Sequence, residues 1–229
     1  MNNLRLGTVL NAPLAGKVIS GLWLSNEKLR APGLEVLSRS SFTCEYCGFI
    51  SSPTQDVPHG WMLPVNTKNP GLLVVNATDG VCVCPFCASA LAVNWSVSPK
   101  DIGSKSLPAP GMLINMPHMT QEEVNRMALH VVSVLACRKV NKQSSIEIAA
   151  INIDNAFVSL NTDLAGTLPI YRYGEDAAFS RALALLPNEF YQFRDEIIGP
   201  IRWWPAVNYW REQGLFWMKA TYADFHETV

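Results

Sequence analysis

The sequence predicts an α+β protein, a small cysteine-held core with a β-hairpin followed by a mainly helical C-terminal half. Three observations point there. Two CxxC pairs, Cys44-Glu45-Tyr46-Cys47 and Cys84-Pro85-Phe86-Cys87, bracket a stretch of short apolar runs. Beyond Thr120, apolar residues recur at helical spacing. Turn formers cluster at residues 51–60, 67–71 and 99–111 and divide the chain into short elements.

The chain has 229 residues and 48% apolar residues, enough for one sizeable core. We divide it into a cysteine-held region, 1–115, and a helical region with a tryptophan-rich tail, 116–229, packed as one unit. Charged residues make up only 16%, against about 25% in an ordinary soluble chain. That points to a surface partly covered by a partner. The net charge of −1 supplies no basic stripe for nucleic acid. No apolar run reaches the roughly eighteen residues of a membrane span. Asn11, Pro13 and Lys17 interrupt the run a signal peptide needs. Thiolates free to bind metal stay reduced most easily in the cytoplasm, the expected location.

Taken in order, residues 4–9 alternate loosely and read as a strand. Residues 18–24 form a second apolar run that includes Trp23. Residues 34–38 read as a short helix leading to the first cysteine pair. Residues 61–65 and 72–75 read as a hairpin turning through Asn69, Pro70 and Gly71. A helix should start at Pro85 and run to about Asn94, and residues 112–116 should form a strand. Thr120-Gln121-Glu122-Glu123 is a capping box, in which Thr120 accepts from the Glu123 backbone and Glu123 reaches back. The helix that follows, to about Arg138, places Val124, Met127, Ala128, Val131, Val134 and Leu135 on one face. A second helix, 145–160, should bury Ile146, Ala149, Ala150, Ile153, Phe157 and Leu160. Shorter helices are expected over 176–186 and from Pro187 to Gly199.

Each CxxC pair sets two sulfurs on one tight turn, and two such turns close a tetrahedron. The set Cys44, Cys47, Cys84 and Cys87 is therefore the expected ligand set of a zinc ion. Gly48 supplies the positive φ a knuckle turn requires, and Pro85 suits the first position of a helix. Knuckle, hairpin and a helix opening at the second pair together outline a treble clef. Four sulfurs leave no open coordination position, so the ion is expected to be structural. Two pairs argue against a lone redox dithiol, and the apolar content argues against a disulfide scaffold. Cys82 competes with Cys84 as a ligand, but the CxxC spacing favours Cys84. Cys137, near a helix end, reads as a small core residue.

The same outline is that of an HNH nuclease. Such an enzyme needs a histidine base and a metal held on the phosphate. In Pro58-His59-Gly60-Trp61-Met62-Leu63-Pro64, Trp61 and Met62 stand where the acidic residue and histidine belong. His59 and Asn94 remain the only candidates for an endonuclease, the alternative to a non-enzymatic reading. His118, His130 and His226 have no spacing that joins them into a site. The tail contains Trp203, Trp204, Trp210 and Trp217. It reads either as a layer capping the helices or as a docking surface in which Arg202, Trp203, Trp204 and Trp210 bind a partner.

The knuckle from Leu37 through Cys44-Glu45-Tyr46-Cys47-Gly48-Phe49 resembles that of the IcmJ (DotN) proteins of Dot/Icm type IVB secretion systems. Gln55-Asp56, Cys84-Pro85-Phe86-Cys87-Ala88, the entry from Met116 to Glu123, Ser144-Ser145, and Leu185 to Asn188 near Phe193-Arg194 follow in the same order. The resemblance covers residues 34–203. It implies an HNH-like fold without catalytic residues and a structural zinc on Cys44, Cys47, Cys84 and Cys87. The implied role is that of an adaptor in the coupling complex. It would bind the C-terminal region of the coupling ATPase (DotL-like) and other complex subunits and help recruit substrates. It would meet the inner membrane only through them. Related conjugation systems carry similar parts. Cys82, the hairpin loop and the tail after Trp204 depart from the family pattern.

Overall fold

The first described stretch is an extended strap laid across a broken helix. The computed structural model describes residues 4–102, 105–138, 144–168, 170–187 and 190–223. Residues 4–9 bury Leu4, Leu6 and Val9 but join no sheet, which corrects the expected strand. Their partners are helical. The predicted helix from Pro85 is two pieces, α3 (Pro85–Leu91) and α4 (Val93–Ser96), broken at Ala92. Gly7 N donates to Ala90 O at 2.8 Å, and Val93 N donates to Gly7 O at 2.9 Å. The strap thus takes up backbone groups that the break would leave unpaired. A Cβ on Gly7 would lie 2.6 Å from Leu91 O, so the close approach requires glycine.

Helix α1 (Ala12–Ile19) is capped by Asn11, whose side chain accepts from Leu14 N. A 3₁₀ turn, Leu22–Ser25, buries Trp23 and leads into α2 (Glu27–Arg39). This helix is far longer than the expected 34–38. It carries Pro32 in its interior, at the sixth of thirteen positions, and buries Gly33, Val36 and Leu37.

The hairpin pairs differently from expectation. Strand β1 (Leu63–Val65) is antiparallel not to residues 72–75 but to β2 (Val81–Val83). Residues 66–72 instead close on themselves, with Asn66 N donating to Leu72 O and Asn69 Oδ1 accepting from Gly71 N. Leu72 has a φ of +61°, which removes it from any ladder. A second hairpin, β3 (Lys100–Ile102) with β4 (Lys105–Leu107), occupies part of the turn-rich stretch.

The C-terminal half is built on a third two-stranded sheet. Strand β5 (Gly111–Asn115) pairs with β6 (Ile201–Pro205), nearly ninety residues later. Its other edge is satisfied by side chains: Leu113 N donates to Asp176 Oδ2 and Asn161 Nδ2 donates to Leu113 O. Helix α5 (Gln121–Ala136) begins with the predicted capping box. It packs against α6 (Ser145–Thr167) and α9 (Arg211–Ala220), while α6 lies on β5. Helices α7 (Asp176–Ala184) and α8 (Tyr191–Ile198) complete this half. Helix α6 runs a further two turns beyond the expected 160, and its buried residues are Glu147, Ala150, Phe157 and Leu164. Of the expected face, Ala150 and Phe157 are buried and Ile153 and Leu160 pack against the core, whereas Ile146 and Ala149 near its start are exposed.

One hydrophobic core runs through both halves. Its largest wholly buried members are Trp203, Trp204, Trp210 and Trp217. Three of these are the candidates for a docking surface. A side chain without solvent exposure offers nothing to a partner, so Trp203, Trp204 and Trp210 are corrected to core residues. Arg202 is half-buried, and its guanidinium donates to Met119 O, Gly199 O and Ile201 O. It fastens β6 to the entry of α5.

Candidate metal centre

The knuckle forms because the chain reverses at Cys47 and Gly48. Cys44 N donates to Phe49 O, Gly48 N donates to Cys44 O, and Thr43 and Ile50 form an isolated bridge. Gly48 has a φ of +73°, which a side chain would resist. The second pair is set by a helix start. Cys84 is the N-cap of α3, Pro85 is its first residue, and Cys84 Sγ accepts from Cys87 N at 3.4 Å. Glu45 N donates to Cys82 O at 2.9 Å and ties the knuckle to β2.

These turns bring Cys44, Cys47, Cys84 and Cys87 together, with all four sulfurs within 4.8 Å of one another and all four side chains buried. Among the described residues this is the only cluster of at least three possible ligands. Cys47 Sγ and Cys84 Sγ are 3.7 Å apart. An ion bound tetrahedrally at about 2.3 Å from each sulfur needs edges of about 3.8 Å, so the cluster fits a metal of that size.

Burial and mutual hydrogen bonding act on these thiols in opposite directions. Burial pushes the Cys84 and Cys87 thiols up. At Cys44 burial acts the same way, but hydrogen bonds from Cys47, Cys84 and Cys87 outweigh it and hold the thiol well below its usual range. One sulfur can thus carry charge by leaning on its neighbours' protons. Four thiolates in this space require a cation.

Cys82 lies outside the cluster. Burial pushes its thiol up to about 12, and its carbonyl rather than its sulfur serves the knuckle. Asn125 on α5 is an addition that the sequence does not signal. Its Nδ2 lies 3.2 Å from Cys87 Sγ, within the buried core. Spacing along the chain gives no sign of it, because α5 reaches the site only through tertiary packing.

The aromatic tail roofs the centre. Phe86, between the two sulfurs of the second pair, meets Trp203, Trp210 and Trp217 edge-on at 5.8, 5.4 and 5.5 Å. Phe49, beside the knuckle, meets Trp217 at 5.4 Å. No protein-family model matches the chain, and no curated protein matches it. The site is therefore read from its own chemistry.

The two residues considered for an endonuclease have other occupations. Asn94 Oδ1 accepts from Val9 N at 3.1 Å and Asn94 Nδ2 donates to Val9 O at 2.8 Å. Both ends of its amide hold the N-terminal strap. His59 is 8% exposed and packs against the rings of Trp23 and Trp61 at 6.2 and 5.5 Å. Burial lowers its pKa to about 4, so it is neutral at pH 7 and a weak base. His118 is exposed, and His130 lies 4.7 Å from Tyr222. His226 lies outside the described residues. No helix among the described residues is long and apolar enough to cross a membrane.

Proposed function

We propose that the protein is a non-enzymatic adaptor, held by a structural zinc ion on Cys44, Cys47, Cys84 and Cys87, in a type IVB secretion or conjugation coupling complex. The observation that carries the reading is the closed, buried set of four sulfurs. Such a set has no position for water or substrate, which separates a structural from a catalytic ion. An all-sulfur tetrahedral donor set suits zinc. The order of knuckle, β1–β2 hairpin and α3 supports a treble-clef core with the HNH outline. Asn94 is bonded to the Val9 backbone, and His59 is buried against Trp23 and Trp61 with a depressed pKa, which supports the absence of nuclease chemistry.

The partner follows from the resemblance of residues 34–203 to the IcmJ (DotN) family. It is the C-terminal region of a coupling ATPase, together with other subunits of that complex, reached from the cytoplasmic side of the inner membrane. The net charge of −1 favours a protein partner over direct contact with nucleic acid. Metal analysis of the purified protein should find one zinc per chain. Immobilised coupling-ATPase tail should retain the protein in 0.15 M salt. Failure of every such tail to retain it would remove the adaptor reading. Magnesium- or manganese-dependent plasmid cleavage that disappears in His59→Ala would replace it with the endonuclease.

A further inference from the structure

A chain of hydrogen bonds leads from the metal centre to β6, and its direction can be worked out from one end. Trp203 N is 2.8 Å from Gln121 Oε1, and Gln121 Nε2 is 3.0 Å from Trp203 O. A backbone N–H can only donate and a carbonyl can only accept, so this pair fixes which way the Gln121 amide faces. Gln121 Nε2 also lies 2.8 Å from Asn125 Oδ1, which orients the Asn125 amide in turn. Asn125 Nδ2 is then left facing Cys87 Sγ at 3.2 Å. Gln121, Asn125 and Trp203 are all buried, as is Cys87, so water does not offer an alternative set of partners.

We infer that Asn125 is an outer-sphere residue of the metal centre, held by Gln121 and the Trp203 backbone so that its N–H points at the Cys87 sulfur. The inference rests on the four-sulfur metal reading above but not on the adaptor reading. A metal-bound thiolate is an acceptor with lone pairs to spare. A donor aimed at it relieves part of the charge that four thiolates place on a divalent ion. Because Asn125 is oriented from β6, the metal centre in the N-terminal half and the sheet of the C-terminal half share one hydrogen-bonded unit. Asn125 and Gln121 are positioning residues: neither ligates the ion.

The test uses the full chain loaded with Zn2+ and, separately, with Co2+, whose thiolate-to-metal absorption reports on the sulfurs. Asn125→Leu keeps the volume and removes the donor. Its Zn2+ affinity, measured by chelator competition, should fall about 10–100-fold. Its Co2+ charge-transfer band should move to longer wavelength, because an unbonded thiolate gives up an electron more easily. Gln121→Leu, which does not touch sulfur, should move both readouts in the same direction by less, and it keeps the test available if Asn125→Leu does not fold. A folded Asn125→Leu with a lower melting temperature but unchanged band and affinity would make Asn125 a packing residue only and overturn the inference. A parent protein that binds neither ion would overturn the metal reading itself.

Discussion

The elements around the cysteines and the elements around the tryptophans are stabilised by different means. Strands β1 and β2 have three residues each, and α3 and α4 have seven and four. Pieces this short do not persist alone, because a helix nucleus is costly and a lone hairpin is marginal. The C-terminal half has helices of 16 and 23 residues and buries four indoles. There apolar area and helix length take the place that the four-sulfur cluster holds in the first region. The two meet at Phe86, which belongs to the cysteine turn by sequence and to the tryptophan cluster by contact. Each region therefore depends in part on the other.

The sharpest way to break this contrast is to remove a ligand. Structural zinc contributes about 10–16 kcal/mol in small zinc-binding peptides, and a whole domain is stable by only about 5–15 kcal/mol. Cys84→Ser should lose the metal and lose hydrogen-exchange protection across residues 42–97. Tryptophan emission should shift red as Phe86 leaves its neighbours, while α6 amides stay protected. Equal loss of protection in α6 would show that the two regions do not differ in what holds them.

The complementary cut is Trp203→Ala, which should cost about 3–5 kcal/mol in urea unfolding. Loss below about 1 kcal/mol would show that the tryptophan cluster is not the main support of its half.

A smaller effect is expected from pH. The folded pKa of His59 is depressed from 6.5 to about 4 by burial. Folding therefore favours the neutral ring. That contribution is fully present above about pH 6.5 and is lost as pH falls toward about 4. With partial solvent screening, it amounts to roughly 2 kcal/mol. Between about pH 7 and about pH 4.5 the parent should lose more stability than His59→Phe by about this amount. Identical pH profiles would show that His59 does not contribute to the acid sensitivity. The smallest change is at the Thr120 cap, where Thr120→Ala should lower stability by about 1 kcal/mol without altering metal content.

Much of the candidate site is legible in the sequence. Each CxxC turn, Gly48, the helix start at Pro85 and both ends of the Thr120 capping box are set by neighbours three or four residues away, and local chemistry reads directly from local spacing. What the sequence does not show is long-range. The apolar run 72–75 resembles a partner for 61–65, yet β1 takes 81–83. Both segments are apolar and short, and nothing in either one encodes the register. The tail resembles an interface because tryptophan is common in interfaces and cores alike. Only its placement against Phe86 and Phe157 distinguishes the two, with Trp204 4.2 Å from Phe157.

By itself the sequence determined the mixed helix and sheet content, each CxxC turn and the capped helix starts, because each depends on residues close together in the chain. The tertiary structure alone decided that β5 pairs with β6, that α6 turns Leu164 inward and Ile146 outward, and that Asn125 faces Cys87. These choices are made by competition among apolar surfaces and hydrogen-bonding groups far apart in sequence. Such a competition is settled only when the whole core closes.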